Sequence, residues 1–238
     1  DSTSAAEAAL VKEYLAKNRR FRHGRAPFPL RNQAIFTTYV PWISTLQEIA
    51  RVNAAALFGD YRQTVIVAEP FRNNRAFRDS RPPDPCLWAF ASGYSSWAEI
   101  YNHHPVLKYT TKMLRDNPPA PAAFWSLLGS YFADFNSLDN FPRALLAQPD
   151  YGLAVLPSSS ASGGPRWNME GMAWGETLGE CFLVSTRGPN SNFRWVNLQG
   201  DPTLRLHSVP PPTGLQVSRA DGKVRLRWEA GASGLRHR

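Results

Sequence analysis

Residues 124–160 of this chain, FWSLLGSYFADFNSLDNFPRALLAQPDYGLAVLPSSS, carry the pattern that decides the fold. Two apolar runs, Phe124–Leu128 and Tyr151–Leu156, flank a short amphipathic stretch at Phe141–Ala147. Apolar runs without polar alternation are typical of parallel strands that are buried on both faces. The pattern therefore predicts a strand, a crossover helix and a second strand parallel to the first. A βαβ unit of this kind belongs to an open α/β sheet.

The loop after the first strand, Gly129–Asn140, is the first candidate for a functional site, because ligands in α/β sheets bind at strand carboxyl ends. It contains Asp134, Asn136, Asp139 and Asn140, whose oxygens would suit a hard cation. The loop lacks the glycine and the closing glutamate of an EF-hand. Asx turns, and capping of the next helix by Asp139 or Asn140, explain the same residues. We favour capping, so no metal and no other cofactor is predicted.

Composition places the chain among globular proteins. Its 238 residues are 43% hydrophobic and 12% aromatic, which suits one sizeable α/β core and a second small unit. No apolar stretch approaches the ~18 residues of a membrane helix. The first residues, from Asp1 onward, show no charged region followed by an apolar one, so no secretion signal is visible there. The formal net charge of +8 keeps a basic nucleic-acid binder as a minor alternative. No DNA- or RNA-binding motif accompanies that charge.

The two cysteines, Cys86 and Cys181, are far apart in the chain and form no CxxC pair. Their spacing supports neither a metal site nor a disulfide framework. Cys181 lies on a predicted helix among apolar residues, which is typical of a small buried side chain rather than a nucleophile.

The other segments up to residue 209 are predicted to complete the same α/β domain. The first helix starts at a capping box, and a late helix carries three glycines spaced four apart, which would let it lie flat on a sheet. The predicted apolar stripe of the first helix is Leu10, Val11, Tyr14 and Leu15, and the three glycines are Gly171, Gly175 and Gly179. Predicted helices are Ala5–Asn18, Ile43–Phe58, Val106–Arg115 and Asn168–Ser185; further predicted strands are Ala34–Val40, Thr64–Ala68, Leu87–Ala91 and Phe193–Leu198.

The pattern changes after Pro210–Pro212, where three prolines mark a linker. Beyond it, apolar and polar residues alternate on both sides of Asp221-Gly222, which is a strong hairpin signal. We therefore predict one domain over residues 1–209 and a separate β segment over residues 210–238.

Three stretches together resemble the gingipain-like cysteine peptidases, a branch of the caspase–hemoglobinase fold. The first is WAFASGYSS at residues 88–96, where the family has a strand ending in Gly-His-Gly. The second is residues 127–160, which resemble the family's strand ending in Ala-Cys with its acidic loop, helix and next strand. The third is MAWGETLGECFLVS at residues 172–185 together with WVNLQGDPTLRLH at residues 195–207; its Gly-Asp-Pro motif is the most specific of the three. The resemblance implies a three-layer, mostly parallel α/β domain.

The resemblance also points to where a catalytic pair would lie. It places Gly93 or Tyr94 at the position of the family's histidine and Ser130 at the position of its cysteine nucleophile. A serine nucleophile needs an adjacent base, and His103-His104, about ten residues out of register, is the nearest candidate. No intact dyad is therefore predicted. The pocket residues that the resemblance implies are Ser92, Gly93, Tyr94, Ser95, Ser130, Tyr131 and Asp134.

These features together predict a catalytically inactive, peptidase-like domain. The resemblance implies an extracellular bacterial or cell-surface setting, and we expect a role in adhesion or assembly with a protein or cell-surface partner. The alternative is an active hydrolase that uses Ser130, and the second alternative is the basic nucleic-acid binder. The segment Thr213–Trp228 resembles the first two strands of a fibronectin type III or immunoglobulin-like module. A full sandwich of this type needs about seven strands.

Overall fold

The computed structural model describes residues 2–26, 30–38, 52, 54–58, 64–67, 85–101, 108–116, 121–159, 169–187, 196–206, 213–220 and 222–229. His103, His104 and the predicted linker Pro210–Pro212 lie outside these residues. Most of the predicted helix Ile43–Phe58 and half of the predicted strand Phe193–Leu198 also lie outside them.

The described part of the chain contains five helices and eleven strands. The helices are α1 (Ser2–Arg22), α2 (Thr111–Asp116), α3 (Phe141–Leu146), α4 (Glu170–Ala173) and α5 (Leu178–Thr186). The strands are β1 (Arg31–Thr38), β2 (Thr64–Val67), β3 (Cys86–Ser92), β4 (Tyr94–Ser95), β5 (Glu99–Tyr101), β6 (Lys108–Thr110), β7 (Ala122–Leu128), β8 (Ala154–Pro157), β9 (Gln199–Gly200), β10 (Thr213–Ala220) and β11 (Lys223–Glu229).

A six-stranded sheet in the order β2-β1-β3-β7-β8-β9 forms the centre of the fold. The five neighbouring strands β2, β1, β3, β7 and β8 of this sheet are parallel. The edge strand β9 runs antiparallel to β8. In β7 and β8, Phe124 lies opposite Ala154 and Leu127 lies opposite Pro157. All residues of both strands are buried. This confirms the predicted pair of parallel buried strands with the helix α3 between them.

Helices cover both faces of the sheet, which gives the three-layer architecture that the sequence predicts. On one face, Phe124 packs in a core with Phe21 of α1 and Leu178 of α5. On the other face, Trp125 packs in a second core with Leu145 of α3 and with α2. The small antiparallel sheet β4-β5-β6 adds buried residues to this second core.

The predicted apolar stripe of α1 is wrong except at Tyr14, which is partly buried and donates its hydroxyl to the carbonyl of Leu153. Leu10, Val11 and Leu15 are exposed, whereas the buried residues of the helix are Lys17, Asn18 and Phe21. The helix also continues to Arg22 instead of ending at Asn18. The physical reason is that α1 lies against main-chain carbonyls and a carboxylate, so its polar side chains face the domain.

The glycine-spaced helix predicted at Asn168–Ser185 is two helices, α4 and α5. Gly175 between them has φ of +95°, which a continuous helix does not allow. Thr177 then forms a capping box with Glu180 that starts α5. The prediction failed because helical spacing of glycines does not distinguish a packing stripe from a break.

The helix predicted at Val106–Arg115 is also only half correct, because Lys108–Thr110 forms the strand β6 before α2 begins. Tyr109 is buried there and lies opposite Ile100 of β5. An aromatic residue followed by two threonines has the composition of a strand, and this local preference outweighed the apolar spacing.

The C-terminal hairpin is present as predicted, with β10 and β11 antiparallel and Gly222 in the turn at φ of +69°. Val217 lies opposite Leu226, so the two share one face of the hairpin. Leu215, Val217, Val224 and Leu226 are all more than half exposed. The described hairpin therefore presents an uncovered apolar face. Its assignment to a fibronectin-like module and the boundary at residue 210 remain predictions.

Candidate functional site

The candidate site lies where the neighbouring parallel strands β3 and β7 end. Ser92 and Leu128, the last residues of the two strands, are paired in register. Gly93 then donates its backbone N–H to the carbonyl of Leu128, over 3.0 Å. The loops that carry the predicted site residues therefore leave the sheet side by side, at the edge where α/β proteins bind ligands.

The two loops are in direct contact with each other. The hydroxyl of Ser95 donates a hydrogen bond to the backbone carbonyl of Ser130 at 2.7 Å, and the side chain of Ser95 is buried. Between them, Gly129 has no space for a side chain, because a Cβ there would lie 2.5 Å from the carbonyl oxygen of Gly93. The structure thus brings Gly93, Ser95 and Ser130 together, but by contact rather than across an open pocket.

Tyr131 follows Ser130 in the left-handed region, with φ of +61°. A non-glycine residue there costs roughly 1–2 kcal/mol. The conformation is held because Phe132 is fully buried beneath it and Ala133 donates its N–H to the carbonyl of Ser158. About half of the Tyr131 side chain faces solvent. Tyr94, on the opposite loop, stacks on Tyr101 at 6.0 Å between ring centroids.

The polar residues of the loop Gly129–Asn140 have structural partners. Asp134 accepts the backbone N–H of Asn136 in an Asx turn. Asp139 pairs with Arg115 at 2.8 Å and accepts a hydrogen bond from Thr111 of α2. Asn140 caps α3 by accepting the N–H of Arg143 at 3.0 Å. Of the two capping residues considered from the sequence, Asn140 is therefore the cap, and Asp139 ties the loop to α2.

Neither of the two cysteine thiols is suited to act as a nucleophile. Cys86 and Cys181 are both buried. Burial raises the pKa of Cys86 to about 12. Burial, followed by the neighbouring Glu176 carboxylate, raises the pKa of Cys181 to about 12 as well. Both thiols therefore stay protonated at neutral pH, whereas a nucleophilic cysteine needs a lowered pKa.

The described part of the chain also offers no imidazole beside Ser130. The one histidine among the described residues, His23, follows α1, and its backbone N–H donates to the carbonyl of Arg19. His103 and His104 are outside the described residues. A serine hydroxyl attacks a carbonyl only when an adjacent base removes its proton. The Ser95 hydroxyl, which donates to the backbone carbonyl of Ser130, is no such base.

Sequence reasoning missed a densely bonded polar cluster around Asp201, in the Gly-Asp-Pro motif. Its carboxylate accepts the side-chain amide of Asn18 at 2.9 Å and also binds the guanidinium of Arg22. It further accepts the N–H and hydroxyl of Thr203. Burial alone would raise the pKa of Asp201, but the bonds from Thr203, Arg22 and Asn18 together hold this pKa below its usual range. The Gly-Asp-Pro motif was the sequence signal that could have indicated this cluster.

The other two residues of the motif have steric roles. Gly200 has φ of +108°, and a Cβ there would collide with the carbonyl of Leu153 and lie 2.9 Å from the Cα of Ala154. Pro202 packs so closely on Gly179 that a Cβ at Gly179 would lie 2.9 Å from the proline ring. The motif therefore joins β9 to β8, α5 and α1. These contacts are structural and lie away from the ends of β3 and β7.

Two further properties bear on the kind of site. Among the described residues, no three His, Cys, Asp or Glu side chains come together in a way that could hold a metal ion. No helix within the same residues combines the length and the apolar character that crossing a bilayer requires.

Comparison with known proteins identifies the fold. No protein-family model matches the chain, and no curated protein matches its sequence. Among solved structures, the Arg-specific cysteine proteinase gingipain R matches with a TM-score of 0.58 and 15% identity, over 87% of this chain and 55% of its own. A second structure, described only as a protease, matches with a TM-score of 0.57 and 9% identity, over 89% of this chain and 56% of its own.

These similarities place the chain in the class of caspase/gingipain-like α/β folds. Because the sequence identities are low, these similarities show the fold and nothing about the activity. The chain spans little more than half of the length of either structure. The mostly parallel sheet, with helices on both faces and a separate antiparallel hairpin, agrees with that class.

Proposed function

We propose that this protein is a peptidase-like domain without peptidase activity, which acts as a binding module in adhesion or assembly outside the cell. The proposal combines the caspase/gingipain-like fold with the residues at the ends of β3 and β7. The extracellular setting and the adhesive role rest on the sequence resemblance described above. They apply to a chain that covers about half of the structures it matches.

The observation that carries the proposal is the direct bond between the two loops. In a cysteine peptidase of this fold, the ends of the two strands present a base and a thiolate to the substrate. Here the Ser95 hydroxyl binds the Ser130 carbonyl at 2.7 Å, and the Gly93 N–H is bound to Leu128. Two donors at this edge, the Ser95 hydroxyl and the Gly93 N–H, are thus engaged within the protein.

The alternative, an active hydrolase that uses Ser130, requires a base within hydrogen-bond reach of its hydroxyl. His103 and His104 lie outside the described residues, and the described part of the chain contains no histidine other than His23. Hydrolysis by Ser130 without such a base would be slow. The second alternative, nucleic-acid binding, rests on the net charge of +8 alone.

Hydrolysis of fluorogenic peptides tests the proposal directly. The wild type would be compared with Ser130→Ala and with Ser137→Ala, a serine of the same loop that serves as the matched control. We expect no turnover of arginine, lysine or neutral peptides above the buffer rate in any of the three proteins. Turnover in the wild type that is lost in Ser130→Ala and kept in Ser137→Ala would overturn the proposal in favour of a serine hydrolase.

Localisation and nucleic-acid binding are tested separately. Antibody labelling of intact source cells should detect the protein at the surface if the extracellular setting is correct. Retention on double-stranded DNA should fall away at physiological salt, because the basic charge forms no specific site. Specific retention that survives physiological salt would favour the nucleic-acid alternative.

A further inference from the structure

The helix α1 is docked on the domain almost entirely through polar contacts. Its buried side chains are Lys17, Asn18 and Phe21, and Phe21 is its one buried hydrophobic among the described side chains. Phe21 packs edge-on against Phe124 at 5.7 Å between ring centroids. Residues 4–13 of the helix are exposed throughout. A helix that buries one apolar side chain is held mainly by directional bonds, so we expect it to open locally at a lower free energy than the rest of the core.

Besides the contacts of Asn18 and Arg22 with Asp201, α1 contacts the segment from the last residue of α3 to β8. Most of these contacts are to main-chain carbonyls. The ammonium of Lys17 donates to the carbonyls of Leu146, Gln148 and Tyr151, each at 2.6 Å. Arg20 and Tyr14 bind two more carbonyls of this connection, those of Pro149 and Leu153. Three side chains of α1 therefore bind five carbonyls between Leu146, the last residue of α3, and Leu153.

The ammonium of Lys17 matches this cage of carbonyls in number, because it has three protons and faces three acceptors. Burial lowers the pKa of Lys17 to about 7, while the charge of Asp150 opposes the shift and that of Arg20 adds to it. Holding the charge inside the protein therefore has a cost, and the three bonds offset it. When α1 leaves the surface, the ammonium regains water and the three carbonyls are exposed.

The helix α3 links this cage to the candidate site. Its C-terminal carbonyl, that of Leu146, is bound by Lys17. At its other end, Asn140 caps the helix, and Phe141 donates its N–H to the carbonyl of Trp97 at 2.7 Å. Because α3 has only six residues, it is too short to be stable without its end contacts.

We propose that α1 is a releasable strap, whose displacement from the α3–β8 connection loosens α3 and, through it, the loop Gly129–Asn140. With Lys17 in the cage, α3 is bound at both ends and the loop is fixed. With α1 displaced, the terminal carbonyl of α3 at Leu146 loses its bond to Lys17, and the connection to β8 loses four carbonyl bonds. The strap is thus a conformational device that couples the N-terminal helix to the edge of the sheet where Ser95 and Ser130 lie.

Hydrogen exchange on the full chain tests this coupling. The variant is Lys17→Met, which keeps the length of the side chain and removes the charge; the matched control is Lys12→Met, an exposed lysine of the same helix. The measurement is made at about pH 6, where Lys17 is protonated. In Lys17→Met we expect at least tenfold faster exchange for amides of residues 141–153, and for Ala133 and Ser137 in the loop. Amides of β1 and β3 should be unchanged, as should every segment of Lys12→Met.

Two further variants separate the strap from a general loss of stability. Tyr14→Phe removes one carbonyl bond and keeps the ring, so it should accelerate the same segments to a smaller extent. Lys17→Ala leaves an empty cage, in which methylammonium chloride should restore protection better than sodium chloride at equal ionic strength.

Three outcomes would overturn the strap. The first is unchanged exchange over residues 141–153 in Lys17→Met. The second is acceleration confined to those residues with no change in the loop, which would refute the coupling. The third is an equal rise in every segment including β1 and β3, which would make α1 an ordinary part of the cooperative core.

Discussion

The cluster around Asp201 gives the sharpest prediction about what holds the domain together. We expect Asp201→Asn to destabilise the protein, because the substitution removes the negative charge that binds α1 through Asn18 and Arg22. Asparagine also places an N–H₂ group where the carboxylate accepted bonds. The bonds of Asp201 to Thr203 lie within its own turn, so the loss is mainly the connection between β9 and α1.

The expected magnitude follows from the exposure of the partners. An exposed ion pair is worth about 0–1 kcal/mol, and a hydrogen bond to a charged group in a buried setting about 1.5–3 kcal/mol. Here the side chain of Asp201 is 24% exposed and that of Arg22 is 40% exposed, so the setting is intermediate. With two bonds to α1, we expect a loss of about 2–3 kcal/mol in the free energy of unfolding. For a chain of this size the melting temperature would fall by roughly 4–12 °C.

The pH dependence supplies a second, independent measure of the same contacts. The pKa of Asp201 is lowered in the folded state, so the unfolded chain binds its proton more readily. The stabilisation is therefore present above the unfolded pKa of about 3.9 and is lost as the pH falls below that value. The difference in free energy of unfolding between the wild type and Asp201→Asn should be largest at neutral pH and should become smaller in acid.

Urea unfolding at neutral pH and at about pH 3 measures both quantities. Asp116→Asn is the matched control, because Asp116 pairs with Lys112 on an exposed helix surface and should cost no more than about 0.5 kcal/mol. An Asp201→Asn variant within about 0.5 kcal/mol of the wild type would refute the reasoning. So would a gap that is the same at both pH values.

Three other features give further tests. Gly200→Ala should lower the free energy of unfolding by at least about 2 kcal/mol, since it adds a clash with Leu153 to backbone strain. Gly175→Ala adds backbone strain in open space and should lower it less. Equal losses for the two variants in urea unfolding would contradict this. Cys86 and Cys181 should resist Ellman's reagent in the native protein and give two thiols on unfolding, since burial keeps both protonated; rapid native reaction of either would show an exposed thiol. Deleting Pro210–Arg238 should leave the melting temperature of the α/β domain almost unchanged and improve solubility, since the apolar face of the hairpin is exposed; a drop of several degrees would show that the hairpin packs on the core.

The centre of the fold was predictable because its signals are local and redundant. The apolar runs around β7 and β8 contain few polar residues, and all positions of both strands are buried. The hairpin was predictable for the same reason, since alternation and a glycine turn specify it together. Capping of α3 was also predictable, although only the structure shows that Asn140 takes this role and Asp139 does not.

The features that could not be predicted depend on partners far away in the chain. The docked face of α1 is polar because Lys17 meets carbonyls more than a hundred residues later. No hydrophobic periodicity records such a contact, so the apolar residues Leu10 and Leu15 gave the wrong face. The contact between Ser95 and Ser130 also joins residues that are distant in the chain, 35 positions apart. The sequence pointed to the correct edge of the sheet, but the distance between the two loops is set by Gly129 and by the register of β3 with β7.

The measurement that tests the central claim most directly is covalent labelling of Ser130. A fluorophosphonate forms a bond with a serine hydroxyl only when a neighbouring base activates it. The folded wild-type protein would be incubated with the probe, its intact mass recorded, and any adduct assigned by peptide sequencing. A peptidase-like domain without a catalytic base predicts no added mass on the native protein. A stoichiometric adduct on Ser130 that is absent from Ser130→Ala and from the unfolded chain would contradict the account.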